Sequence, residues 1–175
     1  MLQNRELEPV NSGKKKDQKQ KNEKRKIKNG PLNVATINRY LCSSPTYLGT
    51  IIMESFKSML IQTKTYSLVV LCGGHYFAVY CTSTTFEIFD SLGFLETKDC
   101  FSVEMLNFIT KHRLTRSIVV NNPVQHTSSK LCGYYVLFFI TLRDQGVPFN
   151  SIMKKFSKDK RVNDRFVLKF CNKLM

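Results

Sequence analysis

Residues 132–142 (CGYYVLFFITL) constrain the fold more than any other segment of this chain. A helix formed by this segment is apolar on every face, so other parts of the protein must surround it. Its longest apolar run, residues 134–140, is far shorter than the roughly 20 residues that cross a bilayer. The segment therefore predicts a buried core helix, and we expect no membrane association.

The remaining apolar patterns predict an α+β fold with a central antiparallel sheet and helices packed on it. The predicted helices cover residues 33–41, 53–61, 103–111 and 164–173, and the predicted strands cover residues 66–72, 75–81, 86–89 and 117–120. The second and third of these strands flank the polar run TSTT and are expected to form a hairpin.

Residues 1–31 differ in composition from the rest of the chain and predict a basic, disordered tail before a domain over residues 32–175. Between Gly13 and Gly30 there are nine Lys or Arg, two acidic residues and Ile27 as the only large apolar side chain. Such a stretch buries too little apolar surface to offset its ordering entropy. Its basic clusters fit a nuclear localisation signal or a nucleic-acid-binding arm, and a plain solubilising tail is the alternative.

The net charge of +14 favours polyanionic partners, with DNA first among them. The excess is not confined to the tail. Residues 1–30 carry ten basic and four acidic side chains, and the remaining 17 basic and 9 acidic side chains leave +8 on the domain. The alternative is a basic surface that serves only for solvation.

The cysteines indicate free thiols in a reducing, intracellular compartment. No CxxC pair occurs, so a zinc site has little support, and we expect neither a metal nor a small-molecule cofactor. The N-terminus lacks the apolar region of a signal peptide. The six cysteines are Cys42, Cys72, Cys81, Cys100, Cys132 and Cys171.

Cys132 stands where a polar loop meets the predicted buried helix, a favourable position for a nucleophilic thiol. Backbone N–H groups at a helix N-terminus lower the pKa of a thiol, and we expect Cys132 to be the one cysteine that is both exposed and ionised. Its own N–H can donate to an oxyanion, and Gln125, seven residues upstream, is a candidate for the second donor. Gly133 lets the backbone approach closely behind the sulfur.

The predicted hairpin supplies a candidate base and a residue to orient it. We expect a turn centred between Thr82 and Ser83. His75 and Asp90 then face each other across the strands, within hydrogen-bonding reach. A carboxylate there holds the histidine tautomer and favours the imidazolium. The turn has no strong sequence preference, so a register shifted by one or two residues is the alternative.

Each of these residues also has an ordinary structural interpretation. Cys132 fits a buried core thiol, His75 an ordinary strand residue and Asp90 the start of a turn. His112 and His126 are competing bases, but neither has a carboxylate beside it in the sequence. Together, His, Asp, Gln and Cys-Gly in this order are much more specific than their parts, and they favour a Cys-His-Asp hydrolase.

Three segments resemble the adenovirus protease (adenain) family: residues 73–78 (GGHYFA), 89–94 (FDSLGF) and 125–134 (QHTSSKLCGY). Residues 45–50 look like the segment that opens the viral enzyme, and Phe170-Cys171 is similar to its C-terminus. The resemblance covers roughly residues 33–175. It extends more distantly to the SUMO/ubiquitin-like proteases of the same clan.

The resemblance implies a papain-like α+β cysteine protease fold whose buried helix starts at the nucleophile. In that family the counterparts of His75, Asp90 and Cys132 form the catalytic triad, and the counterpart of Gln125 helps to form the oxyanion hole. It implies a viral endopeptidase that cleaves virion or capsid precursor proteins at Gly-containing sites and is stimulated by DNA. We therefore expect a monomer in the host cell nucleus and the virion.

The sequence also departs from that family. Asp90 replaces a Glu, Tyr76 follows the histidine where Trp is usual, and the stretch after Cys132 is shorter. No cysteine lies near Leu114, where the family captures a disulfide-linked peptide, so activation by such a peptide is not expected. These departures favour a distant viral relative or a Polinton/Maverick-type mobile element.

Two other functions remain open on the sequence alone. A protease that removes SUMO or a ubiquitin-like modifier keeps the same triad and changes the substrate. A non-catalytic, basic DNA-binding virion protein has the net charge and the Lys-rich tail in its favour.

Overall fold

A computed structural model describes residues 30–58, 65–83, 85–93, 118–120 and 122–174. The predicted helix over residues 103–111, residues 1–29 of the predicted tail, and Cys100, His112 and Leu114 lie outside them. The elements in chain order are α1 (Val34–Leu41), β1 (Tyr47–Ile52), a 3₁₀ helix (Met53–Ser58), β2 (Tyr66–Cys72), β3 (His75–Cys81), β4 (Phe86–Phe89), β5 (Ile118–Val120), α2 (Cys132–Asp144), α3 (Phe149–Met153) and α4 (Lys160–Leu174).

The described strands form one sheet in the order β1-β2-β3-β4-β5, and the predicted α+β class is confirmed. The central strands β2, β3 and β4 pair antiparallel, as predicted. The outer strands differ from the prediction, because β1 pairs parallel with β2 and β5 pairs parallel with β4. Parallel neighbours need a crossover connection rather than a tight turn, so local turn patterns do not reveal them.

The predicted register of the β3–β4 hairpin is wrong by two residues. Ala78 pairs with Phe89, so the turn is centred just after Ser83, one residue number higher than predicted, and each partner on β4 is two residues later than predicted. The Thr82 N–H donates to the Thr85 carbonyl at 2.9 Å, and the Thr85 N–H donates to Thr82 Oγ1 at 2.9 Å. These bonds close the turn at Thr85 and therefore move the centre toward it.

Helix α2 is the centre of the fold, as its apolar composition predicts. Residues 132–140 of this helix are all buried. It packs on β3 and also contacts α1, α3 and α4. Phe89 on β4 stacks on Phe139 with ring centroids 4.7 Å apart. Burial of aromatic rings on this scale accounts for a large share of a domain's hydrophobic stabilisation.

Both faces of the central strands β2, β3 and β4 are mostly buried, which is why these strands are nearly continuous apolar runs rather than alternating ones. Tyr76, Ala78 and Tyr80 join the core around α2. Phe77, Val79 and Cys81 point to the other face and join a second cluster that includes Met53. The alternation therefore divides the apolar side chains of β3 between two core clusters.

Candidate active site

The structure brings His75 and Asp90 together despite the shifted register. His75 opens β3 directly after Gly73 and Gly74, whose φ values of 56° and 82° form a turn that residues with side chains rarely adopt. Asp90 follows the last residue of β4 and is fully buried. His75 Nε2 lies 2.7 Å from Asp90 Oδ1. The Leu92 N–H donates to the same oxygen at 3.0 Å, which fixes the orientation of the carboxylate.

Cys132 is the first residue of α2, and its thiol lies close enough to the His75 ring for the two groups to shift each other's pKa. Because His75 Nε2 faces Asp90, Nδ1 is the ring nitrogen that remains for the sulfur. Burial raises the pKa of Cys132. Hydrogen bonds from the His75 ring and from the Tyr76 and Gly133 backbones, together with the positive charge of His75, lower it, and the net shift is downward. The thiol is therefore held toward the thiolate form.

The environment of His75 favours its imidazolium form. Burial lowers the pKa of the ring, but hydrogen bonds to Asp90 and Cys132 and the negative charges of both residues raise it to about 9. The lowered pKa of the Cys132 thiol and the raised pKa of the His75 ring have the same cause, because each group stabilises the charged form of the other. Together they favour a thiolate–imidazolium pair. The Asp90 carboxylate therefore both orients the His75 ring and stabilises its positive charge.

Gly133 provides close packing directly behind Cys132. A Cβ atom at this position would lie 2.9 Å from the Leu32 Cβ and 3.4 Å from the Ile37 Cδ1. Any larger residue would push α2 away from Leu32 or move Leu32 itself. The glycine therefore sets the position of the nucleophile's helix, in agreement with the sequence-based prediction.

Gln125 is fully buried, and both ends of its amide are hydrogen-bonded. Its Oε1 accepts from the Ser91 hydroxyl at 2.6 Å. Its Nε2 donates to the Ser129 carbonyl at 2.9 Å and approaches Ser129 Oγ at 3.2 Å. The amide is thus fixed in a loop that runs directly into α2.

The loop that carries Gln125 is also held from the opposite side by α4. The Asn163 amide donates to the Val124 carbonyl at 2.9 Å. Asp164 Oδ1 accepts from the Tyr135 hydroxyl at 2.8 Å and from the His126 N–H at 3.4 Å. A loop anchored on two sides is well suited to hold a donor in one place.

The other histidine and the other buried cysteines of the described residues lie in different environments from His75 and Cys132. His126 Nδ1 contacts the Ser128 hydroxyl at 2.9 Å, and its backbone N–H bonds Asp164. Cys81 and Cys171 are buried, and burial raises the pKa of each to about 12. Within the described residues, no group of three His, Cys, Asp or Glu side chains is arranged to hold a metal ion. None of the helices there is long and apolar enough to cross a membrane.

The expectation that Cys132 is the exposed cysteine is wrong. Its exposed fraction is 9%, whereas Cys42 is exposed and donates its thiol hydrogen to the Arg39 carbonyl. Burial follows from the position of Cys132 at the start of the core helix. The neighbouring His75 ring, rather than exposure, is therefore the feature that marks Cys132 as the candidate nucleophile.

Sequence reasoning did not identify Ser91, Leu92 and Ser129 as contacts of the site residues. Ser91 and Leu92 belong to the turn that begins at Asp90, where an Asp followed by Ser-Leu-Gly indicates a turn but not what the turn contacts. Ser129 lies in the loop before α2, and its carbonyl is a backbone group that carries no sequence information.

Comparisons with known proteins bear on the fold. No family model matches the sequence. No curated protein is significantly similar to it in sequence. The structure is similar to that of the ASFV pS273R protease, with a TM-score of 0.60 and 17% sequence identity over 85% of this chain and 68% of that chain.

Weaker similarity extends to two further solved structures. The central domain of the uncharacterized Lpg1148 protein from Legionella pneumophila has a TM-score of 0.49 at 13% identity, covering 82% of this chain and 94% of that chain. The SUMO protease Ulp1, solved with its catalytic cysteine oxidized to a sulfenic acid, has a TM-score of 0.49 at 14% identity, covering 83% of this chain and 81% of that chain. The ASFV comparison establishes the fold: this chain has the α+β architecture of a protease.

Proposed function

We propose that the chain is a cysteine endopeptidase in which Cys132 is the nucleophile, His75 the general base and acid, and Asp90 the residue that orients His75. The observation that carries the proposal is that a buried carboxylate, an imidazole and a helix-terminal thiol lie together: His75 Nε2 is 2.7 Å from Asp90 Oδ1, and the His75 ring and the Cys132 thiol shift each other's pKa. Structural histidines rarely have both a buried acid and a helix-terminal thiol as ring partners, whereas this chemistry requires both. The protease-like fold supports the same conclusion.

The first half of the reaction follows from the charges of the pair. The Cys132 thiolate attacks the carbonyl carbon of the scissile bond, a C–S bond forms, and the carbonyl oxygen becomes an oxyanion. The N–H of Cys132 lies at a helix N-terminus, where backbone donors have no intrahelical acceptor, and it can bind the oxyanion together with Gln125 Nε2. His75 then gives its proton to the leaving amine as the C–N bond breaks, and a thioester remains.

The second half restores the enzyme. The neutral His75 removes a proton from water, and the water oxygen attacks the thioester carbonyl. The C–S bond breaks, the acid product leaves, and the thiolate–imidazolium pair is restored. The bond to Asp90 keeps Nε2 protonated throughout, so Nδ1 is the atom that exchanges the proton.

We infer virion or capsid precursor proteins as substrates, cleaved at Gly-containing sites. The support is the resemblance of the segments around His75, Asp90 and Cys132 to viral proteases, together with the shared architecture of the ASFV protease. Assaying short Gly-containing peptides beside fluorogenic conjugates of SUMO and ubiquitin separates this proposal from deconjugation. Cleavage of the peptides alone supports it, and cleavage of the conjugates alone contradicts it.

An active-site probe tests the enzymatic proposal directly. The full chain is incubated with a peptide-based electrophile, with and without DNA, and the modified residue is mapped by mass spectrometry. We expect Cys132 to react far faster than Cys42, although Cys42 is the more exposed thiol, because only Cys132 is paired with an imidazole. Faster labelling of Cys42 would remove Cys132 from the mechanism.

We propose DNA as a further partner, bound through a basic stripe on α4, defined by Arg161, Arg165, Lys169 and Lys173. All four are exposed, and their spacing of four residues places them along one side of the helix. Between residues 154 and 173 there are eight basic and two acidic side chains. Such a stripe matches the repeating charge of a phosphate backbone and requires no base contacts.

The salt dependence of DNA binding tests the basic stripe. Replacing Arg165 and Lys169 together with Gln is expected to weaken binding and to reduce the slope of log Kd against log salt by about 2, one unit for each phosphate that is no longer neutralised. Arg39→Gln removes an exposed charge from α1 and is the matched control, with its slope reduced by less than about 0.5. Fluorescence anisotropy with duplex DNA at several salt concentrations gives the slopes. Equal slopes for all three proteins would exclude the stripe.

A further inference from the structure

The turn that follows β4 makes four contacts with the loop that carries Gln125. The Ser91 hydroxyl donates to Gln125 Oε1 at 2.6 Å. The Ser91 carbonyl accepts from the Val124 N–H at 2.9 Å and from the Gln125 N–H at 2.8 Å. At Gly93, where φ is 71°, a Cβ would lie 2.5 Å from the Pro123 Cγ. The two segments are therefore joined by a side-chain bond, two backbone bonds and a close steric fit.

The hydrogen bonds also decide which way the Gln125 amide points. The Ser129 carbonyl can only accept, so the NH₂ group must face it. Oε1 therefore faces Ser91, whose hydroxyl donates. Ser91 has an exposed fraction of 1% and Gln125 of 0%, so water does not compete for these bonds. Without the Ser91 hydroxyl, the buried Oε1 would lose this donor, and the amide would lose its restraint at that end.

We propose that Ser91 is a positioning residue for oxyanion stabilisation, acting through Gln125. The proposal rests on the proposed protease function and adds to it a role for a side chain outside the triad. Ser91 directly follows Asp90, whose carboxylate holds His75. Asp90, the first residue of this turn, orients the His75 imidazole, and Ser91, the second, orients the Gln125 amide. The turn therefore holds the acid–base group and the oxyanion donor in a fixed position relative to each other.

If Ser91 only maintained the fold, its replacement would lower the rates of all reactions at Cys132 together. If Ser91 positions Gln125, its replacement would lower only the rates of reactions that form an oxyanion. Alkylation of Cys132 by iodoacetamide forms a C–S bond and releases iodide without forming an oxyanion. It depends on the thiolate–imidazolium pair alone. Peptide hydrolysis needs the same pair and also the oxyanion donors. Comparing the two rates therefore separates the function of Gln125 from that of His75 and Asp90.

Ser91→Ala is expected to lower kcat for peptide hydrolysis by about tenfold or more, with KM changed less than about twofold, because the lost interaction forms only in the transition state. The rate of Cys132 alkylation and its pH profile should match those of the unaltered protein. Loss of alkylation in parallel with hydrolysis would overturn the proposal, since Ser91 would then act on the ion pair or on the fold. An unchanged kcat would also overturn it.

A double-mutant cycle with Gln125→Ala gives the second readout. Removing the Gln125 amide is expected to cost about 10²-fold or more in kcat. If Ser91 acts only through that amide, Ser91→Ala adds nothing further when Gln125 is already Ala. Additive losses would show that Ser91 contributes by another route and would overturn the proposal.

Two further outcomes are informative. If Ser91→Ala does not fold, Ser91→Gly removes the same hydroxyl and takes its place, and failure of both to fold overturns the proposal in favour of a structural role. If Cys132→Ala retains hydrolysis, the proposed protease function fails independently of any result at Ser91. The two conclusions are thus tested by different variants.

Discussion

Cys132→Ala is expected to lower peptide hydrolysis by about 10⁴-fold or more, while the protein stays folded. The variant removes the sulfur whose pKa the neighbouring His75 ring lowers, and alanine has no atom that forms the covalent intermediate. The fold is expected to persist because alanine is a strong helix former and the change removes one small atom at the edge of the core. Initial rates with a Gly-containing fluorogenic peptide and a thermal denaturation curve measure the two effects.

Cys42→Ala is the matched control for this variant. It removes an exposed thiol whose hydrogen bond runs to a backbone carbonyl within its own turn. Its hydrolysis rate should stay within about twofold of the unaltered protein, in line with the small effects of surface substitutions. Hydrolysis retained by Cys132→Ala and lost in Cys42→Ala would reassign the nucleophile.

Asp90→Ala and Asp90→Asn are expected to differ, because they remove different parts of one interaction. Alanine removes the acceptor for His75 Nε2 and for the Leu92 N–H, so the ring loses both its orientation and its charge partner. Asparagine can keep Oδ1 in place, since the Leu92 N–H requires an oxygen there, and it removes only the charge. We expect kcat to fall by about 10³–10⁴-fold in Asp90→Ala and by about 10–10²-fold in Asp90→Asn.

The pH dependence of hydrolysis tests whether Asp90 raises the pKa of His75. The pKa of His75 is raised to about 9, and the Asp90 carboxylate is among the groups that raise it. Hydrolysis in the unaltered protein should therefore decline as pH rises through about 9, where the imidazolium loses its proton. Removing the carboxylate's charge lowers the pKa, so the decline in Asp90→Asn should begin at lower pH. A profile of kcat against pH that is identical in both proteins would show that Asp90 does not set the charge of His75.

The sequence predicted those features that depend on local composition or on short separations. Helix α2 followed from its all-apolar face, and the pairing of His75 with Asp90 followed from a hairpin. The hairpin register was wrong, yet the contact forms because Asp90 lies just beyond the last paired residue, Phe89, and its side chain reaches the start of β3.

Contacts between distant segments were not predictable in the same way. The Ser91–Gln125 bond joins residues 34 positions apart, through a turn and a loop whose sequences contain no common pattern. Strand β1 was missed because Gly49 interrupts it and because its partner β2 runs parallel, without a turn between them. Helix α3 spans only Phe149–Met153, which is too short for helical periodicity to be visible.

The close approach of Gly133 to Leu32 places the first residue of the predicted domain against the back of the helix that carries the sulfur. The start of the predicted domain therefore contributes directly to the packing behind Cys132. A shortened protein that starts after Leu32 would retain every reactive group and yet leave a gap behind α2, which the helix would shift to fill. Any shortened form of the protein should therefore retain Leu32, although the change from basic to mixed charge along the sequence does not single out this residue.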